Sequence, residues 1–131
     1  MGVGEIADGQ NWEAAMWSAE RKLDNLVGIL DCNKVQATGA VKDRMDSGDL
    51  MAKWKAFGWH VIEIDGHKVQ DICDALDAAD KVKDQPVLIF ANTVKGKYVS
   101  FAEGRSEFHN GALTKEQYEQ AVREVKSYIA E

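Results

Sequence analysis

The stretch from Gly2 to Gly39 constrains this chain more than any other. Gly2-Val3-Gly4-Glu5 makes a glycine turn, a helix-like segment follows, and the apolar run Leu26-Val27-Gly28-Ile29-Leu30 ends in Asp31-Cys32-Asn33. Glycines let a backbone come close to a phosphate, and a helix N-terminus offers unpaired N–H groups to an anion. A carboxamide just beyond a strand end can give a hard oxygen to a divalent cation. Turn, helix and strand in that order make a layout for a phosphate and a metal.

Past this stretch, apolar periodicity switches between two modes. Trp12, Ala15, Met16, Ala19 and Leu23 recur at helical spacing, so Gln10 to Leu23 reads as a helix with that apolar face. Asp8 stands where it can cap it and favour its dipole. Leu26 to Leu30 reads as a buried parallel strand. Lys34 to Ser47 reads as a long loop turning at Gly39. Asp49 to Phe57 reads as a helix stopped by Gly58. His60 to Ile64 alternates as a strand and ends at Asp65-Gly66. Val69, Ile72, Cys73, Leu76 and Ala79 mark another helix, with Cys73 expected in the core. Val87 to Ala91 is a third strand after Pro86. Thr114-Lys115-Glu116-Gln117 is a capping box, opening a last helix to about Ala130. The four tryptophans, Trp12, Trp17, Trp54 and Trp59, are expected to pack as core.

Alternating helix and strand predict an α/β fold: three layers, with a mainly parallel sheet flanked by helices. The whole chain, 131 residues, is expected to be a single such domain. A net charge of −6 argues against nucleic acid and anionic membranes as partners. No apolar run is long enough to span a bilayer. Two cysteines, Cys32 and Cys73, lacking metal-ligand spacing, suggest reduced thiols and a cytoplasmic setting. His60 and His67 have no serine or cysteine partner at a recognisable elbow, so a hydrolase triad is unsupported.

Asp31-Cys32-Asn33-Lys34-Val35-Gln36-Ala37-Thr38-Gly39 resembles the thiamine diphosphate (ThDP) fingerprint of the transketolase family, Asp-x-Asn-Lys-x-Gln-x-x-Gly. Asn33 keeps the family's spacing from the glycine turn. Lys95-Gly96-Lys97-Tyr98-Val99-Ser100-Phe101 resembles the family's Lys-Gly-Lys-Gly-x-Ser-Phe, with Tyr98 in place of a glycine. Phe108-His109-Asn110-Gly111 resembles its Trp-His-Gly segment. The resemblance implies the diphosphate-binding portion of a transketolase, shortened at its N-terminal end and lacking the strand that precedes the glycine turn. It makes Asn33 and the Val35 carbonyl ligands of Mg²⁺. It places Gly2, Gly4, Glu5 and Lys95 at the ThDP diphosphate, Asp8 and Glu13 toward the aminopyrimidine side, and His109 at the substrate channel.

The family's metal-binding aspartate falls at Val3, which has no oxygen to give, so cofactor and Mg²⁺ binding should be weak. Several bland readings stay open beside these. Gly2 and Gly4 read equally as a frayed terminus, Asn33 as a turn asparagine, Asp8 and Glu13 as a solvated helix start, and His109 as a solvated loop histidine. Two functions follow. One is a fragment that transfers a two-carbon ketol unit between sugar phosphates once a C-terminal transketolase subunit completes it. The other is a non-catalytic relic or association module that no longer binds ThDP and forms a homo-oligomer through an exposed sheet edge.

Overall fold

The computed structural model describes residues 1–129. A short 3-10 turn, Glu5–Ala7, leads into helix α1, Gly9–Glu20, and then strand β1, Val27–Cys32. Two short strands, β2 (Val35–Gln36) and β3 (Gly39–Ala40), form an antiparallel pair that runs into the one-turn helix α2, Val41–Arg44. Helix α3 (Leu50–Ala56), strand β4 (His60–Asp65), helix α4 (Val69–Ala79) and strand β5 (Val87–Asn92) follow. A 3-10 turn at Ser106–Phe108 precedes the last helix, α5, Lys115–Ile129. The expected end of that helix at Ala130 lies outside the described residues.

The main sheet is parallel, in the order β1-β5-β4. Cys32, Asn92 and Asp65 stand in register across it, so all three carboxyl ends finish level. β5 is central, and Val87 through Ala91 are all buried. That is the continuous apolar run a strand needs when both faces are covered. On one face Leu30, Cys32, Leu88 and Phe90 meet Ala15 of α1 and Leu50 and Trp54 of α3. Trp54 stacks edge-on against Trp59 at 4.7 Å and lies 5.6 Å from Trp12. The Trp59 indole N–H donates to the Ala15 carbonyl at 2.9 Å, which satisfies it inside the core. The buried Ala75 and Ala79 of α4 lie outside this cluster, and α4 packs on β4, closing the second face. The expected three-layer α/β architecture is therefore present.

Local chemistry explains the element ends. Asp49 caps α3 by accepting from the Ala52 N–H at 2.9 Å, and Gly58, at φ +91°, stops it. Thr114 and Gln117 cap α5 reciprocally at 2.9 and 3.2 Å.

Several expectations need correction. Cys73 is exposed, because the α4 face carrying Val69, Cys73 and Leu76 turns away from the sheet. Trp17 and Met16 are 57% and 51% exposed, and the Arg21 guanidinium covers the Trp17 ring from 5.7 Å. Leu23 lies beyond the end of α1. The Lys34–Ser47 stretch is no plain loop: it holds β2, β3 and α2. β4 does not alternate in burial, since helices pack on both of its faces. The first residues are not frayed. The Met1 carbonyl accepts from the Asp31 N–H at 2.9 Å, and the Val3 N–H donates to the Asp31 carbonyl at 3.0 Å. A parallel bridge between Gly2 and Asp31 thus extends the sheet beyond β1.

Candidate functional site

At the carboxyl ends of β1 and β5 lies a cleft of about 560 Å³. Ligands of open parallel sheets gather at this end, outside the strand termini. The glycine turn brings Gly2, Gly4 and Glu5 to the cleft, and Asp8 joins them from the start of α1. Asn33 and Val35 enter from the segment after β1. Lys95 and His109 close it from the loop after β5. Of the residues singled out in the sequence, only Glu13 stays outside: it is exposed on α1. Asp8 and Glu13 are five residues apart, about 140° around a helix, so they cannot both face one cleft.

Two residues that support this wall carry no motif in the sequence. Asp31 lines the cleft, and its two carboxylate oxygens accept from the Thr93 hydroxyl and from the Asn33 carboxamide N–H₂, the latter at 3.0 Å. The Asn33 side-chain oxygen in turn accepts from the Val35 N–H at 2.9 Å. Only the register of β1 against β5 reveals the pairing of Asp31 with Thr93, because the two are far apart in the chain.

Val3 is the main surprise. Its side chain is 3% exposed and packs in the core cluster with Ile6 and Leu30 instead of facing a cation. Glu5, two residues on, folds back so that its carboxylate accepts the Gly2 N–H at 2.6 Å. A carboxylate therefore already occupies one N–H of the glycine turn.

The opposite wall is held differently. Lys95 accepts from the Gly104 N–H at 2.8 Å through its carbonyl. Gly96, at φ +69°, has no room for a side chain, since a Cβ would lie 2.8 Å from the Ala102 carbonyl oxygen. Tyr98 also adopts a left-handed backbone, φ +71°, with its ring 4.4 Å from Tyr128 and 6.1 Å from His67. A tyrosine thus stands in a conformation that suits the family's glycine, held there by aromatic contacts. Phe108 packs on Phe101 at 5.3 Å and fixes the turn that presents His109.

The electrostatics set what the cleft can accept. Glu5, Asp8 and Asp31 face it against the single ammonium of Lys95. This balance disfavours a bare diphosphate and favours one neutralised by a cation. Burial pushes the Cys32 thiol up from its ordinary value, with Lys34 opposing the shift. Cys32 is therefore a packed, protonated thiol behind the site. Among the described residues, no cluster of three or more His, Cys, Asp or Glu side chains could hold a metal alone. Asn33 Oδ1 and the Val35 carbonyl remain as neutral oxygens. With phosphate oxygens and water they can complete an octahedral cation. The residues fit a cation-bridged diphosphate, one carboxylate short of the family pattern.

Residues 1–128 match the family model described as transketolase, thiamine diphosphate binding domain. The chain belongs to this transketolase family. Over 98% of its length, the transketolase domain is 43% identical to one of the two kinds of chain that relatives divide the enzyme into, that of the apulose-4-phosphate transketolase of Phocaeicola vulgatus. It is also 43% identical, over 96% of its length, to the 6-deoxy-6-sulfo-D-fructose transketolase subunit of a Clostridium species. It spans 46% of each of these relatives, less than half. Human transketolase is 36% identical to it, and the domain covers 20% of that protein. In three dimensions it superposes on Campylobacter jejuni transketolase with a TM-score of 0.88 at 30% identity, covering 95% of this chain and 20% of the other. No helix among the described residues is long and apolar enough to cross a membrane.

Proposed function

We propose that this domain supplies the diphosphate- and cation-holding half of a transketolase centre. The gathering of Asn33, Val35, the glycine turn, Lys95 and His109 around one cleft carries this reading. When bound, ThDP supplies the carbanion chemistry that moves a two-carbon ketol unit. The chain's own part is to bind and orient. Asn33 Oδ1 and the Val35 carbonyl hold Mg²⁺, Gly4 lets the diphosphate approach, and Lys95 balances its charge. His109, exposed at the rim, meets the substrate and can hold or pass a proton.

A C-terminal transketolase subunit completes the site from the aminopyrimidine side, and the assembled enzyme is a cytoplasmic oligomer. The names of two relatives, each a transketolase subunit, support a divided enzyme. Those names also point to sugars with a terminal anion, phosphate in one and sulfonate in the other. A sugar phosphate is the substrate class proposed here.

A second reading rests on Val3 in the core and on Glu5 at the Gly2 N–H. In it the chain is a non-catalytic association module that no longer holds ThDP. One experiment separates the two. The chain is mixed with a C-terminal transketolase subunit, ThDP and Mg²⁺, and ketol transfer is assayed. Activity that needs all components supports the first reading. Absence of transfer in every combination, with no calorimetric ThDP binding, establishes the second.

A further inference from the structure

We infer that Asp31 and Thr93 are positioning residues that hold the Asn33 carboxamide in one orientation, its oxygen toward the cleft. The inference rests on the proposed role of Asn33 as a cation ligand and adds the residues that set its geometry. The orientation of a carboxamide is decided by its partners. Here one side faces a carboxylate, which can only accept, and the other faces a backbone N–H, which can only donate. The reversed orientation would set oxygen against carboxylate and N–H₂ against N–H. Both contacts therefore select the same arrangement.

Asp31 can do this because it is itself fixed. Its backbone bonds to Met1 and Val3 at 2.9 and 3.0 Å, and Thr93 donates to its second carboxylate oxygen. Thr93 is seated in turn by the β4–α4 turn. Its methyl lies against Gly66, where a Cβ would collide with it, and the Gly66 N–H donates to the Asn92 carbonyl at 2.8 Å. All three parallel strands thus converge, at their level carboxyl ends, on the angle of one side chain. Partners that orient a metal ligand in this way commonly change affinity by about 10–100-fold when removed.

The test separates orientation from binding. In ligand-free, ¹⁵N-labelled chain, the Asn33 side-chain N–H₂ pair is assigned by its loss in Asn33→Ser. Asp31→Asn and Thr93→Val are expected to move that pair, and Thr93→Ser to return it. In calorimetry with ThDP at saturating Mg²⁺, the first two variants should bind about tenfold more weakly. Thr93→Ser should recover, with unchanged melting temperatures showing that the fold is intact. An Asn33 pair unmoved by both Asp31→Asn and Thr93→Val overturns the inference, whatever the binding result. If the unaltered chain binds no ThDP, alone or with a partner subunit, the proposed function fails, and the N–H₂ signals still decide the positioning role.

Discussion

On one wall of the cleft the glycine turn is driven into the core: Val3 is 3% exposed, Ile6 1%, and Leu30 behind them 0%. On the other, Lys95 and His109 stand on a loop tied largely to α5, a helix with no fully buried residue. Its ties are polar and aromatic contacts near the surface: Lys97 to Glu103 at 3.1 Å, Ser100 to Glu124 at 2.7 Å, and Tyr98 against Tyr128. The same cleft therefore has a wall held by packing and a wall held by hydrogen bonds. Changes to the first should appear as lost stability of the whole domain. Changes to the second should appear as local loosening while the sheet stays folded.

The sharpest break of the packed wall is Leu30→Ala. Leu30 has no exposure and sits in β1 between the glycine turn and β5. Strand pairing on both sides limits collapse around the cavity, so the loss should be about 4 kcal/mol. Denaturant unfolding followed by tryptophan fluorescence measures it, and a loss below about 1 kcal/mol would mean that this wall is not held by packing.

Val3→Asp comes next. It places a carboxylate among Ile6 and Leu30, and the ligand-free chain should lose about 3 kcal/mol. Under the proposed function, Mg²⁺ with ThDP should recover much of that loss, because a cation gives the new carboxylate a partner. Melting curves with and without both ligands decide. A destabilisation that ligands do not relieve would show that position 3 has lost its way to the cation.

These two positions also show how far the sequence is legible. The run Val87 to Ala91 and the Asp-x-Asn string are local patterns, and the structure places both as read. Spacing identifies Val3 as the aspartate's replacement, but the side to which it turns depends on pairing with Asp31, a contact across the fold. The same limit explains Cys73. Helical spacing groups Val69, Cys73 and Leu76 on one face without saying what covers it, and Val69 is 74% exposed. β2 and β3 are two residues each, too short for any periodicity to register. Asp31 and Thr93 carry no signal as a pair, because the strand register that joins them is a property of the sheet.

The hydrogen-bonded wall is probed more gently at Tyr98. Both Tyr98→Ala and Tyr98→Gly lose the ring contact with Tyr128. Alanine also keeps a Cβ in the left-handed region at φ +71°, a strain of about 1–2 kcal/mol. Glycine has the freer unfolded chain, which offsets roughly 0.5 kcal/mol. Tyr98→Gly should therefore be the more stable of the two by about 1 kcal/mol, although it is the more radical truncation. Equal stabilities would mean that the loop relaxes out of the left-handed conformation once the ring is gone.

The smallest effect is expected from acid, and it should be confined to the same wall. The Glu124 carboxylate accepts from the Ser100 N–H and hydroxyl, each at 2.7 Å, and from the Gln120 amide, also at 2.7 Å. Gln120 and then Ser100 hold its pKa below the ordinary glutamate value, with Arg123 adding a little. A depressed carboxyl contributes stability that is present above its unfolded pKa and lost as pH falls through the folded one. Glu116, lowered by its own backbone N–H and by Thr114, acts in the same direction at the start of α5. Lys97, raised by Glu103, works in the opposite window: its contribution is present at neutral pH and is lost only in alkali. Acid should therefore loosen α5 from the Ser100 loop while α1, α3 and the sheet remain folded. The Ser100 amide resonance, followed by NMR as pH is lowered, should move with a midpoint below the ordinary glutamate range, and Glu124→Gln should remove that transition. If the tryptophan signals of the core titrate at the same midpoint, the two walls unfold together and the contrast between them fails.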